Sequence, residues 1–407
     1  MRILYLSQYY PPEIGATQTR AFEMASNLVR LGHSVTMITE FPNHPLGEIP
    51  PHYRGKIYQR TTESGIDLLR MWVFARKKKN FVTRMLFYLS FMVMSFIGGC
   101  LLRRRYDIVY ATSPPLFVAV SGYALARLKR SRFVMEVRDL WPESAIVLGE
   151  LRNPRFIRWS EQLERFLYNH ARCVVTVTRG IYQYLGERGY TAEKVKFIPN
   201  GANTDTYKPA EKDRALLTSL GIDPDKFIII YTGLLGLIHG MEFVLYAARR
   251  LKADADIFFL FVGDGVLKEK MIQTAAELGL DNIKFLEAQP EKALPGFIQS
   301  SDAGLVTTRK IDLCKGTLPV KMFTYMACAK PILLCVEGEA RELVEESRVG
   351  LNVEPENTDE LIEAIKTLKS NSVLADEMGK RGRLFVERHF SRRALAKELE
   401  TVLQRVQ

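Results

Sequence analysis

Residues 195–207 read Val-Lys-Phe-Ile-Pro-Asn-Gly-Ala-Asn-Thr-Asp-Thr-Tyr and lie near the midpoint of the 407-residue chain. Val195 to Ile198 is a short apolar run that predicts a strand. Pro199-Asn200-Gly201 predicts the turn that ends it, because glycine adopts positive φ without steric cost. Alternating strand and helix patterns lie on both sides. The segment therefore predicts a hinge between two α/β halves, and a cleft between domains commonly holds small ligands.

Length and composition predict two folded domains. A chain of 407 residues is too long for one typical core and suits two domains of roughly 200 residues each. The chain begins with a strand pattern rather than a signal peptide. The five cysteines have no metal-ligand spacing, and their odd number argues against a disulfide framework, so we expect a reduced, cytoplasmic protein. They are Cys100, Cys173, Cys314, Cys328 and Cys335.

The apolar patterns predict a doubly wound sheet in each half. The predicted strands of the first half are Arg2 to Ser7, Ser34 to Thr39, Leu68 to Phe74, Asp107 to Ala111, Phe133 to Val137 and Cys173 to Thr178. Those of the second half are Phe227 to Thr232, Ile257 to Val262, Ile283 to Phe285, Ala303 to Val306 and Pro331 to Cys335. Parallel sheets bind ligands beyond the carboxyl ends of their strands, so two such sheets facing each other would enclose a central cleft.

The net charge of +11 is clustered around one apolar stretch. Arg76-Lys77-Lys78-Lys79 precedes the uncharged residues 85–102, and Arg103-Arg104-Arg105 follows them. A transmembrane helix would separate the strands before and after it, so we reject that interpretation. A wholly buried crossover helix is one alternative. We prefer a monotopic helix whose basic flanks meet anionic headgroups. Nucleic acid is an improbable partner, because the basic residues do not interleave with aromatics.

Four loops after predicted strands carry candidate binding residues. Gly15 lets backbone N–H groups approach an anion, although an ordinary turn explains it equally well. Residues 233–240, Gly-Leu-Leu-Gly-Leu-Ile-His-Gly, are not GxGxxG and argue against a dinucleotide dehydrogenase. Gly263-Asp264-Gly265 predicts another tight turn. Lys315 and Lys321, beside a helix start, either hold a diphosphate or form a solvated basic loop.

Residues 136–143, Glu-Val-Arg-Asp-Leu-Trp-Pro-Glu, concentrate charge at a predicted strand end. Asp139 is the candidate acid, base or substrate anchor. Arg138 either contributes to that role or pairs with Glu136 or Glu143. Two strings match the metal-binding pattern DxD at residues 223–225 and 254–256. We interpret both as turns that flank strands and predict no metal site.

Together these motifs resemble the GT-B glycosyltransferases, and within them the retaining glycosyltransferase family 4. The resemblance spans nearly the whole chain. It rests on Tyr-Tyr-Pro-Pro-Glu-Ile-Gly-Ala at 9–16, Ile-Pro-Asn-Gly at 198–201, Tyr-Thr-Gly at 231–233, Phe-Val-Gly-Asp-Gly at 261–265 and Lys-Met-Phe-Thr-Tyr-Met-Ala at 321–327. Residues 137–144 and the basic-flanked helix are similar to the bacterial subgroup that builds surface polysaccharides, including O-antigen N-acetylfucosamine transferases.

The resemblance implies a GT-B α/β fold with two Rossmann-like doubly wound domains. Residues 1–200 would bind the acceptor and carry the membrane helix, 201–385 would bind the nucleotide sugar, and 386–407 would cross back as a helix. The implied reaction transfers a sugar, with retention, from a UDP-linked donor to a polyprenyl-diphosphate-linked saccharide at the inner face of the cytoplasmic membrane. Neither a metal nor a cofactor is implied. The alternatives are a nucleotide-sugar 2-epimerase and a non-catalytic membrane partner subunit.

The resemblance also implies roles for single residues. Gly263, Asp264 and Gly265 would lie beside the nucleotide, and Gly15 and Gly233 beside the diphosphate. Asp139, with Arg138 and Glu143, falls in the catalytic stretch.

The sequence departs from the family pattern at four positions. Gly316 and Thr324 stand where relatives carry two glutamates, the second of which holds the ribose. Leu234 and His239 replace an Arg and a Lys. These departures shift phosphate binding towards Lys315, Lys321 and His239, and a threonine hydroxyl cannot make a carboxylate's charge-assisted bond to the ribose.

Overall fold

The computed structural model describes residues 1–13, 15–43, 47–77, 80–147, 149 and 151–407. The chain forms two compact units, one of Met1–Pro199 with Leu395–Gln407 and the other of Asn200–Ala394. The boundary between the two units, at Pro199 and Asn200, therefore falls inside the segment 195–207. Each unit is a Rossmann-like α/β domain, which confirms the predicted fold class.

The first unit contains one eight-stranded sheet in the order β3-β4-β2-β1-β5-β6-β7-β8, parallel except for the pair β3 and β4. Its strands are β1 Arg2–Leu6, β2 Ser34–Glu40, β3 Tyr58–Glu63, β4 Ile66–Met71, β5 Ile108–Ser113, β6 Arg132–Val137, β7 Cys173–Thr176 and β8 Val195–Phe197. Its helices are α1 Ala16–Arg30, α2 Phe81–Leu101, α3 Leu116–Lys129, α4 Glu143–Val147, α5 Pro154–His170 and α6 Arg179–Glu187, with a 3-10 turn at Pro51–Tyr53.

The second unit contains a six-stranded parallel sheet in the order β11-β10-β9-β12-β13-β14. Its strands are β9 Phe227–Thr232, β10 Ile257–Val262, β11 Ile283–Leu286, β12 Ala303–Thr307, β13 Ile332–Cys335 and β14 Gly350–Asn352. Its helices are α7 Arg214–Ser219, α8 Glu242–Arg250, α9 Lys268–Glu277, α10 Leu294–Gln299, α11 Asp312–Lys315, α12 Val320–Ala327, α13 Glu339–Ser347, α14 Thr358–Ser370 and α15 Ser372–His389, with a 3-10 turn at Leu237–His239. The last helix, α16 Arg392–Val406, begins in this unit and ends in the first.

Side chains that alternate between the two faces of the strands contribute to both hydrophobic cores of the first unit. Ile3 and Tyr5 of β1 pack with α1 and with Leu395 and Leu399 of α16 on one face of the sheet. Leu4 and Leu6 face the opposite core, which contains α2 and α3. Because side chains of a strand point alternately to the two faces, one short apolar strand serves both layers. All five cysteines are free.

One edge of the first sheet differs from the prediction. The strand predicted at Leu68 to Phe74 occupies Ile66–Met71 and forms a hairpin with β3, a strand that the sequence patterns did not indicate. Ser64 and Gly65 form its turn with φ of 51° and 78°, as a tight hairpin requires. The partner strand was missed because Tyr58–Glu63 is largely polar and alternates between exposed and half-buried residues.

Helix α2 covers the apolar stretch but is not wholly buried. Asn80 caps it through a reciprocal pair of bonds with Thr83. Only Phe91, Ser95, Gly98 and Gly99 of the helix are buried, which argues against the buried-crossover alternative. It is long and apolar enough to cross a membrane. A span would place β4 and β5 on opposite sides of a bilayer, whereas both belong to one sheet. Lys78 and Lys79 of the basic flank lie outside the described residues.

A buried ion pair secures the end of the first unit. Arg20 of α1 contacts Glu136 of β6 at 2.8 Å, with side-chain exposures of 1% and 0%. Its guanidinium also donates to the carbonyls of Ile198 and Pro199, at 2.9 and 2.7 Å. The Tyr110 hydroxyl donates to the same Glu136 oxygen. Burial disfavours ionised Glu136, but the charges of Arg20 and Arg138 and these hydrogen bonds outweigh it and lower the carboxyl pKa.

We predict that Arg20→Met lowers the free energy of unfolding of the first unit by about 3 to 5 kcal/mol, because Glu136 is left buried without its main partner. Urea unfolding followed by tryptophan fluorescence measures the change. Arg60→Met, which breaks an exposed pair with Asp67, is the matched control and should cost less than about 1 kcal/mol. Equal effects of the two variants would contradict the role given to Arg20.

Candidate active site

Two glycine turns meet at the carboxyl edge of the second sheet. Gly233 follows β9 with φ of 111°, and its N–H donates to the Val262 carbonyl at 2.9 Å. A Cβ at Gly263, after β10, would lie 1.9 Å from the Gly233 carbonyl oxygen. Any larger residue at 263 would separate the two loops. The sequence-predicted residues Gly233 and Gly263 are thus in direct backbone contact.

Asp264 holds this turn together. Its carboxylate accepts the N–H of Gly265 at 2.7 Å, and its carbonyl accepts the N–H of Leu235 at 2.8 Å. The side chain is otherwise exposed. Asp264 therefore shapes the loop and leaves carboxylate surface open to a ligand.

Lys321 places an unneutralised cation beside these loops. Its Nζ lies 3.4 Å from the centroid of the Tyr231 ring and is inaccessible to solvent, although part of the residue remains exposed. It has no hydrogen-bond partner among the described residues. Burial lowers the pKa of Lys321 well below the usual lysine value. A buried cation that only an aromatic face stabilises is poised to receive an anion.

His239 completes the cluster as a neutral group. Burial, followed by the charge of Lys321, lowers the pKa of His239 to about 4. Its Nδ1 lies 3.3 Å from the Gly236 carbonyl, and its ring lies 6.2 Å from that of Tyr231. At neutral pH His239 is therefore a hydrogen-bonding group rather than a second phosphate-binding cation.

Lys315 and Thr324 have other partners. Lys315 is half-exposed and pairs with Asp312 at 2.7 Å and with Glu337 at 4.0 Å. These ion pairs do not bring it into the cluster of Tyr231, His239 and Lys321. Thr324 is half-buried, and its hydroxyl donates to the Lys321 carbonyl at 2.8 Å.

Aromatic residues that the sequence analysis did not single out organise the site. Tyr231 supplies the ring under Lys321. The Tyr325 hydroxyl bonds the N–H and the hydroxyl of Thr232, at 2.8 and 3.1 Å. It therefore fixes the end of β9 just before Gly233. Both tyrosines lie inside sequence motifs named above, Tyr231 in residues 231–233 and Tyr325 in residues 321–327. Their aromatic side chains within these motifs are the signal that could have identified them.

Arg309 is a further cation that the sequence analysis missed. Its N–H donates to the Ile238 carbonyl at 2.8 Å, and its backbone and side chain pack against Gly240. The guanidinium is about half exposed and lies 3.8 Å from Glu356. Its position just after β12, at the same edge of the sheet, is the signal that could have identified it.

The charged stretch of the first unit lies after β6. The Asp139 residue as a whole is exposed, but burial of its carboxyl group raises the carboxyl pKa against opposing hydrogen bonds with Ser144 and Leu140. Arg138 donates to the Pro114 carbonyl at 2.8 Å, and among the described residues it forms no ion pair with Glu136 or Glu143. Exposed Glu143 shares a hydrogen bond with Tyr184.

Gly15 lies at the carboxyl edge of the same sheet, immediately before α1. A Cβ at Gly15 would meet the Gln18 side chain at 2.5 Å. Its carbonyl accepts the Thr19 N–H. The structure thus places Gly15 and Asp139 at one edge of one sheet, after β1 and β6.

The two DxD strings form salt bridges at strand-flanking turns. Asp254 and Asp256 both pair with Lys369, and Asp225 pairs with Arg214. Among the described residues, no three histidine, cysteine or carboxylate side chains cluster as metal ligands would.

The chain is similar to glycosyltransferases along nearly its whole length. Residues 15–201 match the model of the Glycosyl transferase 4-like domain, and residues 213–385 match that of Glycosyl transferases group 1. The putative colanic acid biosynthesis glycosyl transferase WcaI of Escherichia coli K12 is 28% identical over 94% of this chain and 96% of its own length. The probable glycosyltransferase WbjE of Pseudomonas aeruginosa is 25% identical over 62% of this chain and 63% of its own.

Solved structures share the fold. Anabaena HepE in complex with UDP superposes with a TM-score of 0.72 at 18% identity, over 99% of this chain and all of that one. Sucrose-phosphate synthase from Thermosynechococcus elongatus gives 0.75 at 17% identity, over 100% of this chain and 98% of its own.

We predict that Lys321→Met raises the free energy of unfolding at pH 7 by about 1 to 3 kcal/mol, because a buried ammonium without a polar partner is replaced by a thioether of similar length. The unfolded lysine binds its proton more tightly than the folded one, so wild-type stability rises with pH up to the usual lysine pKa. The gain should therefore shrink between pH 7 and 10, as denaturant titrations would show. Lys315→Met is the control on an exposed lysine. A Lys321→Met variant less stable than wild type would contradict the assignment.

Proposed function

Because the chain is a GT-B glycosyltransferase that combines a glycosyl transferase 4-like domain with a group 1 domain, we propose that it transfers a sugar, with retention, from a UDP-linked donor to a polyprenyl-diphosphate-linked saccharide. The reaction would serve surface-polysaccharide assembly at the inner face of the cytoplasmic membrane. The name of WcaI, which refers to colanic acid biosynthesis, supports this role. HepE complexes with UDP and UDP-glucose support UDP as the nucleotide.

The observation that carries the proposal is the unpartnered Nζ of Lys321 beside the Gly233 turn. A Cβ on Gly233 would lie 3.9 Å from that Nζ, so a ligand atom over Gly233 would meet both the ammonium and the backbone of the turn. When the bond to the sugar breaks, negative charge develops on the leaving diphosphate. A lysine ammonium that gains its proton as the diphosphate binds, in a site that excludes water, would stabilise such charge strongly, which supports catalysis without a metal.

His239 would bind the donor by hydrogen bonding alone. Its neutral ring cannot replace the charge of a lysine, so the cationic contribution falls to Lys321. Thr324 would meet the ribose as a neutral group. Its hydroxyl would first have to leave the Lys321 carbonyl, to which it now donates.

In the first unit we assign the acceptor to the edge that carries Asp139. A carboxylate with a raised pKa is a stronger base than an ordinary one and is therefore better suited to accept a proton from an acceptor hydroxyl. Arg138 lies beside it and would orient the substrate by its charge. Glu143, held by Tyr184, would fix the far side of the loop.

The membrane surface we propose is centred on α2 and extends to α5. Helix α2 exposes Phe81, Val82, Leu86, Val93, Ile97 and Leu101. Trp159 and Phe166 of α5 are 46% and 41% exposed, and the Phe81 and Phe156 rings lie 5.9 Å apart, which joins the two helices. Exposed arginines 155, 158 and 165 flank these aromatics. Aromatic residues with adjacent arginines suit the headgroup layer of a bilayer.

A donor and acceptor screen tests the function. Purified protein is incubated with UDP-sugars and polyprenyl-diphosphate-linked saccharides, and products are separated by mass. Transfer with retained anomeric configuration is expected. A changed sugar in the absence of acceptor would instead indicate an epimerase, and no UDP binding would indicate a non-catalytic partner.

We predict that UDP binding takes up protons near neutral pH, because an anion beside Lys321 favours the ammonium and raises its lowered pKa. Calorimetry in buffers of different ionisation enthalpy measures the number of protons taken up for each UDP bound. Lys321→Met should abolish the uptake and weaken UDP binding by about 1.5 to 3 kcal/mol. Lys315→Met should retain the uptake. Unchanged affinity in Lys321→Met would remove Lys321 from the donor site.

For the membrane surface, we predict that changing Arg103, Arg104 and Arg105 to Ser weakens binding to phosphatidylglycerol vesicles by about 1 kcal/mol per charge. Vesicle sedimentation measures it. The control variant changes Arg249, Arg250 and Lys252, exposed in and after α8, to Ser, which alters net charge equally. If both variants lose the same affinity, binding follows net charge alone and the surface is wrongly assigned.

A further inference from the structure

A cavity of about 210 Å³ lies at the start of α2, wholly within the first unit. Its wall comes from the loops after β1, β2 and β4 and from the first two turns of α2. The lining residues are Tyr9, Asn43, Arg76, Thr83, Arg84, Phe87 and Tyr88. The cavity therefore combines cationic, amide, hydroxyl and aromatic groups.

The inner side of the cavity is a buried network of amides and carboxylates. The Asn43 side chain donates to Glu40 at 2.7 Å, and its backbone N–H donates to Glu13 at 2.7 Å. Gln8 donates to the second Glu40 oxygen at 2.8 Å. Burial, then a hydrogen-bonded Tyr88 and these carboxylates, raises the pKa of Tyr9 well above normal. Neutral hydroxyls over fixed amides and carboxylates are the groups that bind sugar hydroxyls.

The outer side carries two guanidinium groups. Arg76 is exposed and lies over the Phe74 ring at 5.3 Å, whereas Arg84 is half-buried in the first turn of α2. A planar guanidinium group can bind two phosphate oxygens at once, and it therefore recognises phosphate with a more defined geometry than a lysine does. Two arginines on one small cavity therefore suit a ligand with several phosphate oxygens.

Exposed apolar residues share the first turns of α2 with Arg84. Val82 and Leu86 are 62% and 46% exposed, and the exposed face continues along α2 to Leu101 at 63%. A long hydrocarbon chain laid on this face would emerge from the cavity beside Phe87. The first unit thus places hydroxyl-binding groups, phosphate-binding groups and an exposed apolar face next to one another.

We propose that this cavity binds the diphosphate of the lipid-linked acceptor on Arg76 and Arg84. The prenyl chain lies along α2, and the first sugar faces Tyr9 and Asn43. The assignment rests on the proposed function and specifies where its acceptor is held. A phospholipid headgroup offers a single phosphodiester, which would use the two arginines less fully and would leave the inner network without a sugar.

Farnesyl diphosphate is the probe, and farnesol is the control without phosphate. We expect the full-length protein to bind farnesyl diphosphate but not farnesol in calorimetry. Arg84→Gln and Arg76→Gln should each weaken binding at least about tenfold, the loss of one charge-assisted bond. Arg249→Gln, on the exposed surface of α8 in the second unit, should change it by less than about twofold. Unchanged UDP binding and melting temperature show that each variant is folded.

Several results would overturn the assignment. Equal binding of farnesol, unchanged affinity in both cavity variants, or displacement of the probe by phosphatidylglycerol at similar concentration would each do so, the last by showing a general headgroup site. Sugar transfer to a lipid-linked acceptor separates this test from that of the function. If transfer persists without probe binding in the cavity, only the cavity is wrong. If the probe binds as expected and no transfer is found, only the proposed reaction is wrong.

Discussion

The first unit depends on a buried ion pair, Arg20 with Glu136, in which each charge makes the burial of the other tolerable. Glu136 sits in the middle of a hydrophobic sheet, where an isolated carboxylate would be strongly destabilising, and Arg20 neutralises it from α1. The same guanidinium takes the carbonyls of Ile198 and Pro199, so one side chain links a helix, a central strand and the last residues of the unit. Because α1 follows the loop after β1, and β6 leads into Asp139, this pair also positions the two loops at the edge assigned to the acceptor.

The second unit is organised on the opposite principle, since its site keeps a charge uncompensated. The Gly233 and Gly263 turns are fixed by backbone contact and by the Tyr325 hydroxyl, so they are rigid without a ligand. Lys321, by contrast, has an aromatic ring in place of a counterion. A buried lysine without a polar partner among the described residues is unfavourable for stability, and the anion-binding role proposed above would explain its presence. Rigid loops around a destabilised cation require little reorganisation when an anion arrives.

Most of the strands followed from local pattern, because buried parallel strands are continuous apolar runs such as Ile257–Val262. The edge hairpin did not, since β3 buries only alternate polar residues and its pairing is decided by β4. In the candidate site, glycines were predictable from turn chemistry. The different surroundings of Lys315 and Lys321 were not predictable, because they depend on tertiary contacts. Asp312 and Glu337 pair with Lys315, whereas no carboxylate among the described residues pairs with Lys321. Tyr231 and Tyr325 were missed for the same reason, since their roles are contacts between distant segments.

Helix α2 shows how one element can serve packing and recognition together. Gly98 and Gly99 let it approach the sheet and α3 so closely that a Cβ on Gly99 would lie 2.4 Å from Leu125. That close seam is narrow, so most of the remaining apolar surface of the helix stays outside the core. A contiguous exposed apolar patch is uncommon on a protein that has no partner for it. The cavity with Arg76 and Arg84 lies near the start of the helix, and Arg103, Arg104 and Arg105 follow its end, so cationic groups flank the exposed apolar residues on both sides along the chain.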